Sequence, residues 1–172
     1  MHQPIHIITT GGTIEKTYDE RTGELKNTRS IVDRMLKRLT LPDTTITIQE
    51  LLSKDSLHFT DDDRNKVLHA TQDAIPQTSS IVILHGTDTL ETTGRFLHHN
   101  LPQTTARIVI TGAMRPFEMR RSDALQNLTE ALIASTLLWP GIYFVGHGKS
   151  LPFPNLTKNR DRSTFEPTTH NQ

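Results

Sequence analysis

The chain has 172 residues, enough for one domain that buries roughly 70% of its unfolded surface and holds a core without staples. It contains no cysteine, which excludes a disulfide framework and thiolate metal or redox chemistry and fits a reducing compartment. Lys plus Arg equals Asp plus Glu at 19 each, so no global field recruits nucleic acid or an anionic membrane, while small neutral or zwitterionic ligands stay open. The N-terminus, MHQPIHIITT, lacks a basic start followed by a long apolar stretch, and no apolar run approaches bilayer length. These features predict a soluble, cytoplasmic protein with no membrane partner.

The first predicted strand, Ile5–Thr9, is apolar-rich and gives way to Thr10-Gly11-Gly12-Thr13. Residues 15–29 are charged and without sustained period, which predicts a mobile loop or loose hairpin around Gly23, with Tyr18 its one large aromatic. Ser30, with Asp33 three residues on, reads as the N-cap of a short helix whose apolar stripe is Ile31, Val32, Met35, Leu36 and Leu39, closed by Pro42. Thr44–Gln49 alternates as a strand does and delivers a third strand end at residues 51–56. Thr60 followed by three aspartates opens a helix, because a capping hydroxyl and carboxylates suit the positive end of the helix dipole. Its buried face is Val67, Leu68, Thr71, Ala74 and Ile75, and Pro76 ends it.

Ile81, Val82, Ile83 and Leu84 run without alternation into His85-Gly86-Thr87-Asp88-Thr89, the pattern of a buried parallel strand ending at a helix start. The helix that follows runs through Leu90, Phe96, Leu97 and Leu101 to Pro102. Arg107–Thr111 is another buried strand, ending in Gly112-Ala113-Met114-Arg115-Pro116; Ser122 and Asp123 then open a helix that ends near Pro140-Gly141. Ile142–Val145 is a fifth strand, and residues 146–172 read as a loop or short hairpin with a frayed tail. Strands separated by helical patterns predict a single α/β domain over 1–172. It has three layers, with a mainly parallel sheet and helices on both faces in a flavodoxin-like or Rossmann-like arrangement.

Ligands bind at strand ends in open α/β sheets, and here two such ends carry glycine turns with hydroxyls. Thr13 and Thr87 are candidate nucleophiles or hydroxyl relays; Asp88 is a candidate carboxylate for a ligand ammonium or for orienting a proton carrier. The same residues also suit plainer roles: Thr87, Asp88 or Thr89 as a helix cap, and TGGT as a tight turn or an anion site. Neither Gly-x-Gly-x-x-Gly nor a phosphate loop occurs, which lowers a nucleotide reading. Nine histidines lack metal-ligand spacing, so no metal is predicted, and Arg115, Arg120 and Arg121 read as a solvated basic loop.

TTGGTI at 9–14, HGTDT at 85–89, GAMRP at 112–116 and DALQNL at 123–128 resemble, in the same order, the motifs of the bacterial-type L-asparaginase family. The whole chain resembles a short-chain asparaginase, corresponding to the family's N-terminal domain. The resemblance implies cofactor-free hydrolysis of L-asparagine to L-aspartate and ammonia through an acyl-enzyme. Thr13 matches the primary nucleophile, and Tyr18 lies in the loop whose tyrosine closes over it. Thr87, Asp88 and Lys158, the last in NLTKNRDRSTF, match the other triad. Ser53, in SKDS, resembles the serine that holds the substrate α-carboxylate, with Ser56 as the neighbouring alternative, and Asp88 would hold the α-ammonium. Gly12, Gly86 and Ala113 would supply contacts to substrate.

Glu15 departs from the family pattern, which has a small residue there, and is expected to alter the site entrance. Two-domain members complete each site from a second domain that nothing here matches. A homo-oligomer, dimer or tetramer, is therefore expected to cover the surface that domain would hide. The competing readings are a related amidohydrolase acting on glutamine, D-asparagine or a peptide-linked amide, and a non-catalytic amino-acid-binding module.

Overall fold

The computed structural model describes residues 3–168; residues 169–172, the end of the expected frayed tail, lie outside the described residues. β1 (Gln3–Gly11) is buried from Ile5 onward and leads into a 3-10 turn at Thr13–Glu15. The charged stretch after it folds as a hairpin, β2 (Thr17–Asp19) and β3 (Glu24–Lys26), turning at Gly23 with φ 72. α1 (Val32–Leu36) is only five residues long. Its N-cap is Ile31, because the Ser30 hydroxyl is drawn to Glu15, although its oxygen still accepts from Val32 N at 3.3 Å. β4 (Thr44–Lys54) extends five residues beyond the expected strand, because it pairs along the whole of β1.

α2 (Asp61–Ala74) starts as expected: the Thr60 side chain accepts from Asp63 N and the Asp63 side chain accepts from Thr60 N, a full capping box. β5 (Ser80–Leu84) is buried at all five positions, and α3 (Leu90–Asn100) and β6 (Arg107–Thr111) follow. α4 (Ala124–Leu137) has Asp123 at its N-cap without a side-chain cap bond, since that carboxylate accepts from Met114 N and Arg115 N of the preceding loop. After β7 (Gly141–Gly146) the chain adds β8 (Lys149–Pro152), an antiparallel edge strand that the sequence pattern does not predict. The final hairpin is β9 (Leu156–Asn159) and β10 (Thr164–Pro167).

The main sheet runs β4-β1-β5-β6-β7-β8, parallel except for the last pair. Counting only the five parallel strands in chain order, that is 2-1-3-4-5, the flavodoxin-like order. α2 and α3 cover one face, packing Val67, Leu68, Leu90 and Leu97 on Ile8, Ile81, Ile83 and Ile108. α1 and α4 cover the other, packing Met35, Leu128 and Leu132 on Ile7, Val82 and Val109. Covering both faces is why β5 and β6 read as continuous apolar runs. The chain leaves β1 for β4 on one side and returns to β5 on the other. The ends of β1 and β5 therefore flank the switch point, where such sheets hold ligands.

Candidate active site

Three glycines let the strand-end turns touch. A Cβ on Gly12, at φ 80, would overlap the Cα and N of Gly86; one on Gly86 would overlap the Ser56 hydroxyl; one on Gly112 would overlap the carbonyl of His85. The turns after β1, β5 and β6 thus pack backbone to backbone, which brings the turn of Thr13 against that of Thr87. Gly12 donates its N–H to Lys54 O at 2.9 Å and accepts from Asn27 Nδ2 at 2.8 Å, so both of its backbone polar groups have partners within the protein. Its part in the geometry is the close approach.

His85 locks the second turn from below. It is fully buried, with Nδ1 2.8 Å from Gly86 O and Nε2 2.9 Å from Thr93 Oγ1. A carbonyl only accepts, so Nδ1 carries the proton and Nε2 accepts from Thr93. Burial pushes the imidazole down to about 4, with the Arg64 charge adding to the effect, so the ring is neutral at physiological pH.

Lys158 reaches this turn from β9. Its Nζ donates to Thr87 Oγ1 and to Asp88 Oδ1, each at 2.8 Å, and only 13% of its side chain is exposed. Three contacts deliver it: Lys158 N donates to Glu91 Oε2 at 2.8 Å, Arg95 donates to Leu156 O at 2.7 Å, and Leu156 and Phe165 enter the core against α3 and β7. The Phe165 ring lies 4.3 Å from that of Phe144. The Lys158 hydrogen bond holds the Asp88 carboxyl below its ordinary range, with Lys158 and Arg160 charges adding to it. Arg160 Nη1 meets the same Asp88 oxygen at 3.2 Å from a largely exposed side chain.

The structure brings Thr87, Asp88 and Lys158 together, with Gly12, Gly86 and the turn of Thr13 beside them. Ala113 is buried on the turn after β6. Ser53 sits on β4 with its residue exposed, whereas Ser56 is buried against Gly86, and its Oγ accepts from Thr89 N at 3.4 Å. Tyr18 is 58% exposed and its hydroxyl lies near Gly23 of its own hairpin. Glu15 is buried beneath the first turn and does not shape an entrance. Among the described residues no group of three His, Cys, Asp or Glu could hold a metal ion.

Residues 4–165 match the family model described as asparaginase, N-terminal. The chain belongs to the asparaginase family. It is 35% identical over 98 residues to an L-asparaginase of Thermococcus kodakarensis, covering 57% of this chain and 30% of that protein. It is 30% identical over 154 residues to a glutamyl-tRNA(Gln) amidotransferase subunit of Methanococcus vannielii, covering 84% of this chain and 34% of that one. The solved thermostable L-asparaginase from Thermococcus kodakarensis superposes with a TM-score of 0.82 at 26% identity, over 96% of this chain and 51% of that one. L-asparaginase I of Vibrio cholerae shares the fold, with a TM-score of 0.79 at 23% identity. The chain spans about a third of the length of these curated relatives and about half of the solved ones.

Sequence reasoning within the asparaginase pattern missed Glu91, which anchors Lys158, and Asn27, which holds Gly12. Glu91 carries the signal of an acidic residue in the first turn of α3. Asn27 carries none, since it acts across a hairpin whose shape is tertiary.

Proposed function

We propose that this domain hydrolyses the side-chain amide of L-asparagine to L-aspartate and ammonia, with Thr13 as nucleophile. The observation that carries the reading is the Lys158 ammonium donating at once to Thr87 and Asp88 in a largely buried position. With its lone pair engaged by Lys158, the Thr87 hydroxyl is left to donate its own proton into the site, as a relay. Thr13 Oγ1 forms a bond to the amide carbon and gives up its proton. The carbon–nitrogen bond then breaks, the proton leaves with ammonia, and water attacks the acyl-threonine, releasing aspartate and restoring the hydroxyl. The N-terminal end of α3 lies just beyond Thr87 and Asp88, so its dipole favours charge developing on the substrate oxygen.

Asp88 Oδ1 takes both Lys158 and Arg160, which leaves Oδ2 for the substrate α-ammonium. Ser53 holds the substrate α-carboxylate, with Ser56, buried beside Gly86, as the alternative. Tyr18 closes over the site through movement of the β2–β3 hairpin. A homo-oligomer in a cytoplasmic setting completes the reading, supported by exposed apolar residues at the end of α4 and by the absence of cysteine.

The test is ammonia and aspartate release from L-asparagine, with L-glutamine and D-asparagine in parallel, for the wild type, Thr13→Ala and Lys158→Met. Equal amounts of both products are expected from L-asparagine, with kcat lower by roughly 10²–10⁴ in each variant. No turnover together with intact calorimetric binding of asparagine would make the domain a binding module instead. The similarity to amidotransferase subunits favours a second reading, in which the ammonia serves a partner; turnover that appears only with an acceptor-bearing partner would select it.

A further inference from the structure

Glu15 is a buried carboxyl that the proposed chemistry does not use. It stands two residues after Thr13 and turns back on the chain: Oε2 accepts from Gly11 N at 3.1 Å, and Oε1 accepts from the Ser30 hydroxyl. Gly11, at φ 95, lies where the β1–β4 register shifts, so the sheet ladder is interrupted there and the carboxylate supplies a partner for its N–H. Thr13 lies between the two ends of this loop-back, and Ser30 ties it to the start of α1. Resting on the hydrolytic reading of the site, we infer that Glu15 is a positioning residue, whose carboxylate sets the shape of the Gly11–Thr13 turn and so the aim of the Thr13 hydroxyl.

The surroundings make this positioning sensitive to pH. The charged group facing Glu15 is Glu50 of β4, whose own carboxylate accepts from Ser30 N at 3.4 Å; β1 presents a backbone N–H, and the segment leading into α1 presents the Ser30 hydroxyl and the Ile31 backbone. Burial, and less strongly Glu50, push the Glu15 carboxyl up to about 7 against the hydrogen bonds from Ser30, Gly11 and Ile31. On protonation the carboxyl gains an O–H that must itself find an acceptor. Both present partners are donors, so the Ser30 hydroxyl has to rotate and the Gly11 bond loses its charge assistance.

The test follows the Gly11 and Thr13 amide resonances by NMR across the neutral range, together with kcat for ammonia release. Both amides are expected to titrate with a midpoint of about 7, and kcat to rise through the same midpoint. Glu15→Gln, which mimics the protonated form, is expected to abolish both titrations and lower kcat roughly tenfold with little change in KM. Ser30→Ala removes a bond favouring the charged form and moves the midpoint up; Glu50→Gln removes repulsion and moves it down. These two variants carry the test if Glu15→Gln fails to fold. Amides indifferent to pH, a titration that survives in Glu15→Gln, or wild-type kcat in that variant overturns the role. Amides that titrate in a wild type releasing no ammonia overturn the hydrolytic reading and leave the positioning of Thr13 by Glu15 standing.

Discussion

Glu15 and His85 each hold one of the two facing turns, and burial favours the neutral form of both. Their effects on stability have opposite sign. The native state keeps a proton on Glu15 between pH 4.5 and about 7 that the unfolded chain has lost, so stability falls as pH rises through that window. The unfolded chain protonates its histidine below 6.5 while buried His85 resists until about 4, so stability rises with pH there. The two slopes partly cancel in the wild type. Glu15→Gln removes the first, and at about pH 8 it is expected to stabilise the fold by roughly 3 kcal/mol, a gain that vanishes near pH 4.5. Urea denaturation at the two pH values checks it, and equal midpoints for wild type and variant at about pH 8 would count against it. More stable and less active is the combination expected of a residue kept for positioning.

At the scale of elements, α3 serves both as a wall of the core and as the mount for the β9–β10 hairpin. Its Gly94 costs helix propensity of about 1 kcal/mol relative to alanine. The position is glycine because the Phe153 ring lies flat against it, where a Cβ would overlap three ring carbons. Gly94→Ala is therefore expected to destabilise by roughly 1–3 kcal/mol despite better propensity, and to lower kcat as the segment leading to Lys158 is pushed off α3. Thermal unfolding and the ammonia assay read the two effects; a raised Tm with unchanged kcat would refute this packing account. Caps divide along similar lines. Thr60 is legible in the sequence because both halves of its capping box lie three residues apart. Asp123 holds the N-cap position that its sequence predicts but makes no cap bond, because Met114 N, Arg115 N and His147 Nε2 take its oxygens, whereas Ser30 yields the N-cap to Ile31 with its hydroxyl drawn to Glu15.

For the whole molecule, the 2-1-3-4-5 order places the touching turns at the switch point and leaves the far end of α4 uncovered. Leu137 and Trp139 there are 75% and 84% exposed, with Ile133 exposed one turn earlier. Exposed large apolar groups clustered in this way favour association, and we propose that they support the homo-oligomer. Leu137→Asp combined with Trp139→Asp is expected to lower the mass in sedimentation velocity. A wild type that sediments as a monomer at all concentrations would exclude the assembly.

Whatever rests on local patterns could be read from the amino-acid order. Apolar runs located four of the parallel strands and alternation located β4, glycine-hydroxyl turns located the strand ends, and the four ordered motifs carried the resemblance to the family. Lys158 could be named only through a loose match, because its β9 segment has almost no period of its own and is placed by Glu91, Arg95 and the Phe144–Phe165 contact. Tertiary contacts were needed to establish that Ser56 and not Ser53 lies against Gly86 and that Glu15 turns inward to Gly11 and Ser30, while β8 joins the sheet as a hairpin partner of β7 without a strand pattern of its own. For these side chains the cause is the same. Which partner a hydroxyl or carboxylate meets depends on how separate turns are brought together, whereas a buried strand records its surroundings in its own run of apolar side chains.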